Sequence, residues 1–199
     1  LKLNWNEGVI PPPQAVIDAI NELMSENNVL NWYPGSEYMH VKNKIATFNK
    51  VDVNSVEIFA GSDSTLDTLA KTFIDEDNLV GIVSPTYDQF RVSAESRGGK
   101  CYFIQCEDPF DLTVDEVLAK TKKHTKVLYL SNPNNPTGHL FTIHDIQKIA
   151  STLEETAIIV DEAYMEFCLP NSAVSLCQNN ANLFITRTFS KAFCLAGLR

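Results

Sequence analysis

A chain of 199 residues that is 44% hydrophobic and 21% charged has enough apolar mass to bury a core, and reads as an ordinary globular protein. Its net charge of −9 argues against nucleic-acid and anionic-membrane partners, because both select a basic face. No apolar run reaches the length of a membrane span and no leader pattern opens the chain at Leu1. The five cysteines, Cys101, Cys106, Cys168, Cys177 and Cys194, form no C-x-x-C pair, so they read as reduced thiols of a cytoplasmic protein. His139 and His144 lack partners at ligand spacing, and no metal site is indicated.

The first 55 residues stand apart from the rest. After Pro11-Pro12-Pro13, the spacing predicts an amphipathic helix over Gln14–Glu26 with Val16, Ile20, Leu23 and Met24 inward. A loop at Asn31-Trp32-Tyr33-Pro34-Gly35 and a helix over roughly residues 37–49 follow. From residue 56, short β-branched or aromatic runs recur at Val56–Ala60, Leu79–Ser84, Cys101–Cys106, Lys126–Ser131, Ala157–Asp161 and Leu183–Thr188. Helical periodicity lies between them. Asp63–Ile74 puts Leu66, Leu69, Ala70 and Phe73 on one face, and Ile143–Leu153 does the same with Ile146, Ile149, Ala150 and Leu153, with Thr142 and Asp145 in capping-box positions. Strands apolar on both faces and separated by helices predict an α/β three-layer sandwich around a mainly parallel sheet. The expected division is an N-terminal arm with its helices over residues 1–50, then a large domain over 51–199.

In such sheets ligands collect beyond the carboxyl ends of the strands. The residues there are Gly61-Ser62-Asp63, Pro85-Thr86-Tyr87, Asn132–Gly138, Asp161-Glu162-Ala163-Tyr164 and Ser190-Lys191. Each has a plain reading. Ser62 or Asp63 serves equally as a helix cap, Tyr87 as a half-buried aromatic, and the Asn-Pro-Asn-Asn-Pro-Thr-Gly run as a turn-rich loop. Lys191 alone reads as a solvated lysine. Asp161 is harder to dismiss, because an acid leaving a fully apolar strand costs desolvation energy unless a cation pairs with it. Together the segments fit pyridoxal 5'-phosphate (PLP), which needs a lysine amine, an acid facing its pyridinium nitrogen, a phosphate cradle at a helix N-terminus and a flat partner for its ring.

With these residues in view, the sequence resembles the fold-type I PLP-dependent aminotransferases (class I/II), and within them the histidinol-phosphate aminotransferase-like group. The resemblance runs over nearly the whole chain. Leu3-Asn4-Trp5-Asn6-Glu7, Tyr33-Pro34, Gly61-Ser62-Asp63, Ser84-Pro85-Thr86-Tyr87, Ser131–Gly138, Asp161-Glu162-Ala163-Tyr164, Thr188-Phe189-Ser190-Lys191-Ala192-Phe193 and Gly197-Leu198-Arg199 carry it. It implies that Lys191 bonds the cofactor, Asp161 pairs with the ring nitrogen, and Asn135 and Tyr164 hydrogen-bond its 3' oxygen. It further implies that Tyr87 stacks on the ring. The phosphate falls to the backbone of Ser62 and Asp63, the hydroxyls of Thr188 and Ser190, and Arg199. Tyr33 would reach the site of a neighbouring subunit, which implies a homodimer.

Ser64 follows the Gly-x-Asp block where the nearest relatives often carry Glu. The family chain also continues past the position of Arg199, with one more strand and a C-terminal small domain that contacts substrate, so the chain is expected to be a segment of a longer polypeptide. The implied reaction transfers an amino group between an amino donor and a keto or aldehyde acceptor. The alternatives are a PLP lyase of the threonine-phosphate decarboxylase type, or a non-catalytic PLP-sensing module.

Overall fold

A computed structural model describes residues 4–26, 31 and 38–198. Tyr33 and Arg199 lie outside the described residues, as do Leu3 and Pro34 of the sequence motifs. The chain divides into two compact units, Phe59–Thr188 and a second that joins Leu1–Ile58 to Phe189–Arg199.

The unit Phe59–Thr188 is built on five parallel strands: β1 (Leu79–Ser84), β2 (Lys100–Gln105), β3 (Thr125–Ser131), β4 (Ala157–Asp161) and β5 (Leu183–Thr186). Their order in the sheet is β2-β1-β3-β4-β5. Alternate side chains of β3 and β4 leave opposite faces, and both faces are sealed. Leu128, Leu130, Ile158 and Val160 pack with Val117, Ile146 and Ile149 on one side. Val127, Tyr129, Ala157 and Ile159 pack with Leu66, Ala70, Phe90 and Ala94 on the other. The helices behind those contacts are α3 (Ser62–Phe73) and α4 (Gln89–Ser96) on one face, and α5 (Val114–Lys120) and α6 (Ile143–Thr152) on the other. This is the three-layer α/β sandwich with a parallel sheet that the sequence predicts.

Two helix starts are fixed by reciprocal capping. The Asp145 N–H donates to Thr142 Oγ1 at 3.2 Å while the Thr142 N–H donates to the Asp145 carboxylate at 2.9 Å, which confirms the box expected ahead of α6. The same arrangement at Thr113 and Glu116 opens α5.

The expectation of a strand at Val56–Ala60 is corrected, since the segment pairs with no strand among the described residues. An alternating apolar pattern records a tendency to extend, but a strand exists only once a neighbour supplies ladder hydrogen bonds.

In the other unit, α1 (Gln14–Ser25) and α2 (Met39–Asn49) are helical as predicted, but the inward face expected of α1 is not buried. Leu23 and Met24 are 49% and 50% exposed. An amphipathic stripe buries only where something covers it, and among the described residues nothing covers this one fully.

Ile158 is fully buried in the interior strand β4. Ile158→Ala is therefore expected to lower the unfolding free energy by about 2–5 kcal/mol, measured by urea denaturation, and a loss below about 1 kcal/mol would show that the face re-packs.

Candidate active site

The parallel strands all deliver their carboxyl ends to one edge of the sheet, and Asp161 is the last residue of β4 there. Ser131 of β3 and Thr186 of β5 flank it in register. The carboxyl group is almost wholly buried, yet no side-chain cation pairs with it among the described residues. Within the chain, hydroxyl and amide donors surround it. Tyr129 donates to Oδ2 at 3.1 Å, Thr186 Oγ1 donates to Oδ1 at 3.0 Å, and the Ala163 N–H donates to Oδ1 at 3.2 Å. Burial raises the carboxyl pKa above its ordinary value, the three donors oppose that rise, and the nearby Asp63 carboxylate adds to it. Tyr129 is buried as well, so desolvation and then the Asp161 charge push its phenol well above the usual tyrosine range, and it remains a donor.

Tyr129 and Thr186 were not among the sequence candidates. A tyrosine in the run Val127-Leu128-Tyr129-Leu130 looks like core, and Thr186 looks like a strand residue. The available signal was positional: Thr186 is the polar residue that closes the next strand in register with Asp161.

The start of α3 does not use the side-chain cap that Ser62 or Asp63 could supply. Its N-cap is Gly61, at φ +85°, and neither Ser62 nor Asp63 caps it with a side chain. Glycine takes that backbone angle freely, whereas other residues are strained there. No side chain therefore caps the first turn of α3.

The Asn-Pro-Asn-Asn-Pro-Thr-Gly loop is held by its other asparagines. Asn132 brackets Phe141, accepting from its N–H at 2.8 Å and donating to its carbonyl at 3.1 Å. Asn134 Nδ2 donates to the Pro85 carbonyl at 2.9 Å and to Thr137 Oγ1 at 2.8 Å. That ties the loop carrying half-buried Asn135 to the segment carrying Tyr87, which is 38% exposed. Beside Tyr87, the buried Thr86 Oγ1 has no hydrogen-bond partner among the described residues. Tyr87 and Asp63 both act electrostatically on Tyr129, so the ends of β1, β3 and β4 and the start of α3 share one neighbourhood.

Glu162 follows Asp161 and faces the opposite way. It is fully buried and accepts from Ser172 Oγ and the Ala173 N–H, each at 2.7 Å, while Arg187 and Glu166 form a largely buried ion pair at 2.7 Å. Burial raises the Glu162 pKa and the two hydrogen bonds oppose it. These contacts anchor the chain on both sides of half-buried Tyr164. Thr188 closes this unit and is buried.

Ser190 and Lys191 belong to the other unit. There Lys191 Nζ donates to the Trp5 carbonyl at 2.7 Å, and Phe189 meets Phe193 edge-on with centroids 5.1 Å apart. Gly8 lies so close to Cys194 that no side chain fits, which holds the Trp5–Gly8 stretch beside the turn following Lys191. Among the described residues no cluster of potential metal ligands exists, and no helix is long and apolar enough to cross a membrane.

The family described as aminotransferase class I and II matches residues 1–199. A dihydroxyacetone phosphate transaminase of Campylobacter jejuni is 42% identical over 201 residues, covering all of this chain and 54% of that protein. A histidinol-phosphate aminotransferase of Methanococcoides burtonii is 34% identical over 200 residues, again spanning all of this chain and 54% of the relative. The chain therefore spans about half the length of the curated relatives it matches. Among solved structures, histidinol-phosphate aminotransferase from Sinorhizobium meliloti in complex with pyridoxal-5'-phosphate superposes with a TM-score of 0.88 at 25% identity, over 98% of this chain and 53% of that one.

The raised pKa of Asp161 has a thermodynamic consequence. An unfolded aspartate titrates near about pH 3.9, and the folded one titrates higher, so between those values the folded state holds more protons. Stability contributed by Asp161 thus falls as pH rises through that interval, and the penalty is complete above the folded pKa. Asp161→Asn removes it, so the cofactor-free variant should melt about 2–4 °C above wild type at pH 7, by differential scanning calorimetry. A variant melting lower at pH 7 would show that the donors outweigh the desolvation.

Proposed function

The chain belongs to the aminotransferase class I and II family, and from that premise we propose that it binds PLP and uses it to move an amino group from an amino donor to a keto or aldehyde acceptor. The observation that carries this reading is Asp161, a buried carboxyl group with hydrogen-bond donors on three sides and no cationic side chain paired with it among the described residues. A protonated ring nitrogen supplies the missing positive partner. The uncapped start of α3 and the lone Thr86 hydroxyl are further groups that a bound anion and its ring would satisfy. The donor set fits the cofactor.

When bound, PLP supplies an electron sink for the bonding pair released at the amino donor's Cα. Everything else falls to the chain. Lys191 would hold the cofactor through its amine, and that amine would carry the proton at Cα. Asp161 would keep the ring nitrogen protonated, and its burial would strengthen that attraction. Asn135 and Tyr164 would hold the 3' oxygen, and Tyr87 would hold the ring. The phosphate is assigned to the backbone of Ser62 and Asp63, to Thr188 and Ser190, and to Arg199. Asp63 contributes its N–H, since its carboxylate repels an anion. Tyr33 is assigned to the active site of a second copy in a homodimer.

The relatives at 42% and 34% identity are named for phosphorylated substrates, dihydroxyacetone phosphate and histidinol phosphate. That supports a small phosphorylated acceptor or donor as the substrate class, and a place in amino-acid or related biosynthesis. Five reduced cysteines and a net charge of −9 suit a cytoplasmic enzyme without nucleic-acid or membrane partners.

Borohydride reduction of the holoenzyme followed by peptide mapping should put the cofactor on Lys191, and label on any other lysine overturns the assignment. Lys191→Ala is expected to lower turnover by at least about 100-fold. An amino donor supplied alone should accumulate the pyridoxamine form, absorbing near about 330 nm. If it does not accumulate while the donor is consumed, a lyase replaces the transferase. Activity with dihydroxyacetone phosphate or histidinol phosphate, and none with unphosphorylated analogues, would establish the substrate class.

A further inference from the structure

Resting on that reading of Asp161, we propose that Tyr129 and Thr186 are positioning residues that hold the Asp161 carboxylate for a protonated aromatic nitrogen, so that the cofactor is selected by its ring nitrogen as well as by its phosphate. Asp161 is gripped from the strands on both sides. Tyr129 reaches its Oδ2 from β3 and Thr186 reaches its Oδ1 from β5, where Thr186 stands directly opposite Asp161 in the parallel register. The Ala163 N–H fills a second position on Oδ1. A carboxylate offers about four acceptor positions in all. Three are taken, and the one left open belongs to Oδ2.

The support extends one layer further. Phe90 of α4 stacks on the Tyr129 ring with centroids 4.8 Å apart and planes 14° from parallel, and both side chains are fully buried. The phenol oxygen therefore has little freedom to follow a displaced carboxylate. If packing were the only demand at this place, phenylalanine would fill it without a polar atom to satisfy. Instead two buried hydroxyls, on two different strands, converge on one carboxyl group. Hydroxyls that donate to a carboxyl group favour its ionised form, and the ionised form is the one that attracts a protonated nitrogen.

The test compares PLP with its carbocyclic analogue, in which C–H replaces the ring nitrogen, by equilibrium binding to the protein. The aldehyde and phosphate are common to both, so their contributions cancel in the ratio. Wild type is expected to prefer PLP. Tyr129→Phe and Thr186→Val should each reduce that preference by about tenfold or more, as expected for a hydrogen bond to a charged group, while affinity for the analogue stays near wild type. Thr186→Ser, which keeps the hydroxyl, should restore the preference. Equal losses for both compounds, with the ratio unchanged, would make the two residues merely structural and overturn the inference while leaving the proposed function intact. A wild-type protein that binds neither compound overturns the proposed function itself.

Discussion

A parallel sheet sealed on both faces can carry an ionisable group only where a strand stops, and the placement of the candidate chemistry follows from that constraint. Within β4, Ala157, Ile158, Ile159 and Val160 face helices on both sides and leave no room for charge. Asp161 comes at the first position where the strand ends, and even there it is buried. Its carboxyl group is tolerable because β3 and β5 bring Tyr129 and Thr186 to it in register. A slip of β3 by one residue would turn Tyr129 to the other face and leave the acid short of a donor.

The alternation that seals the sheet also divides labour between consecutive residues. Asp161 turns toward the face covered by α3 and α4, where Tyr129 and Phe90 lie. Glu162 turns away and ties down Ser172 and the Ala173 N–H. Glu162 thus fixes the backbone that carries both acids. The Asn132 and Asn134 contacts fix the loop after β3 that carries Asn135 and link it to the Pro85 segment. The cost is stored in buried polar groups, and burial raises the pKa of both Asp161 and Glu162.

Five of six expected strands were legible because each combines β-branched residues with apolar character on both faces, a local property. Strand ends shifted by a residue or two, with β5 stopping at Thr186 rather than Thr188. The capping box at Thr142 was legible for the same local reason. Val56–Ala60 failed as a strand, and the apolar face of α1 failed as a buried one, because each depends on what lies alongside, which periodicity does not report. Tyr129 and Thr186 went unread as partners of Asp161, since Asp161 lies 32 and 25 positions from them in sequence and the pattern around each is that of a strand in the core.

The sequence by itself determined the parallel α/β class, the order of the segments that end at one edge of the sheet, and the residue types available there, because hydrophobic period, turn chemistry and short motifs are written locally along the chain. It also marked Asp161 as an acid that needed an explanation. Only the tertiary structure decided which groups of the chain surround it. Within the chain the partners of the carboxyl group are two hydroxyls and an amide, and neither Ser62 nor Asp63 caps the start of α3 with its side chain. The physical reason is register: which side chains meet across neighbouring strands is set by how the strands align, and that alignment is a property of the packed sheet, absent from any one segment.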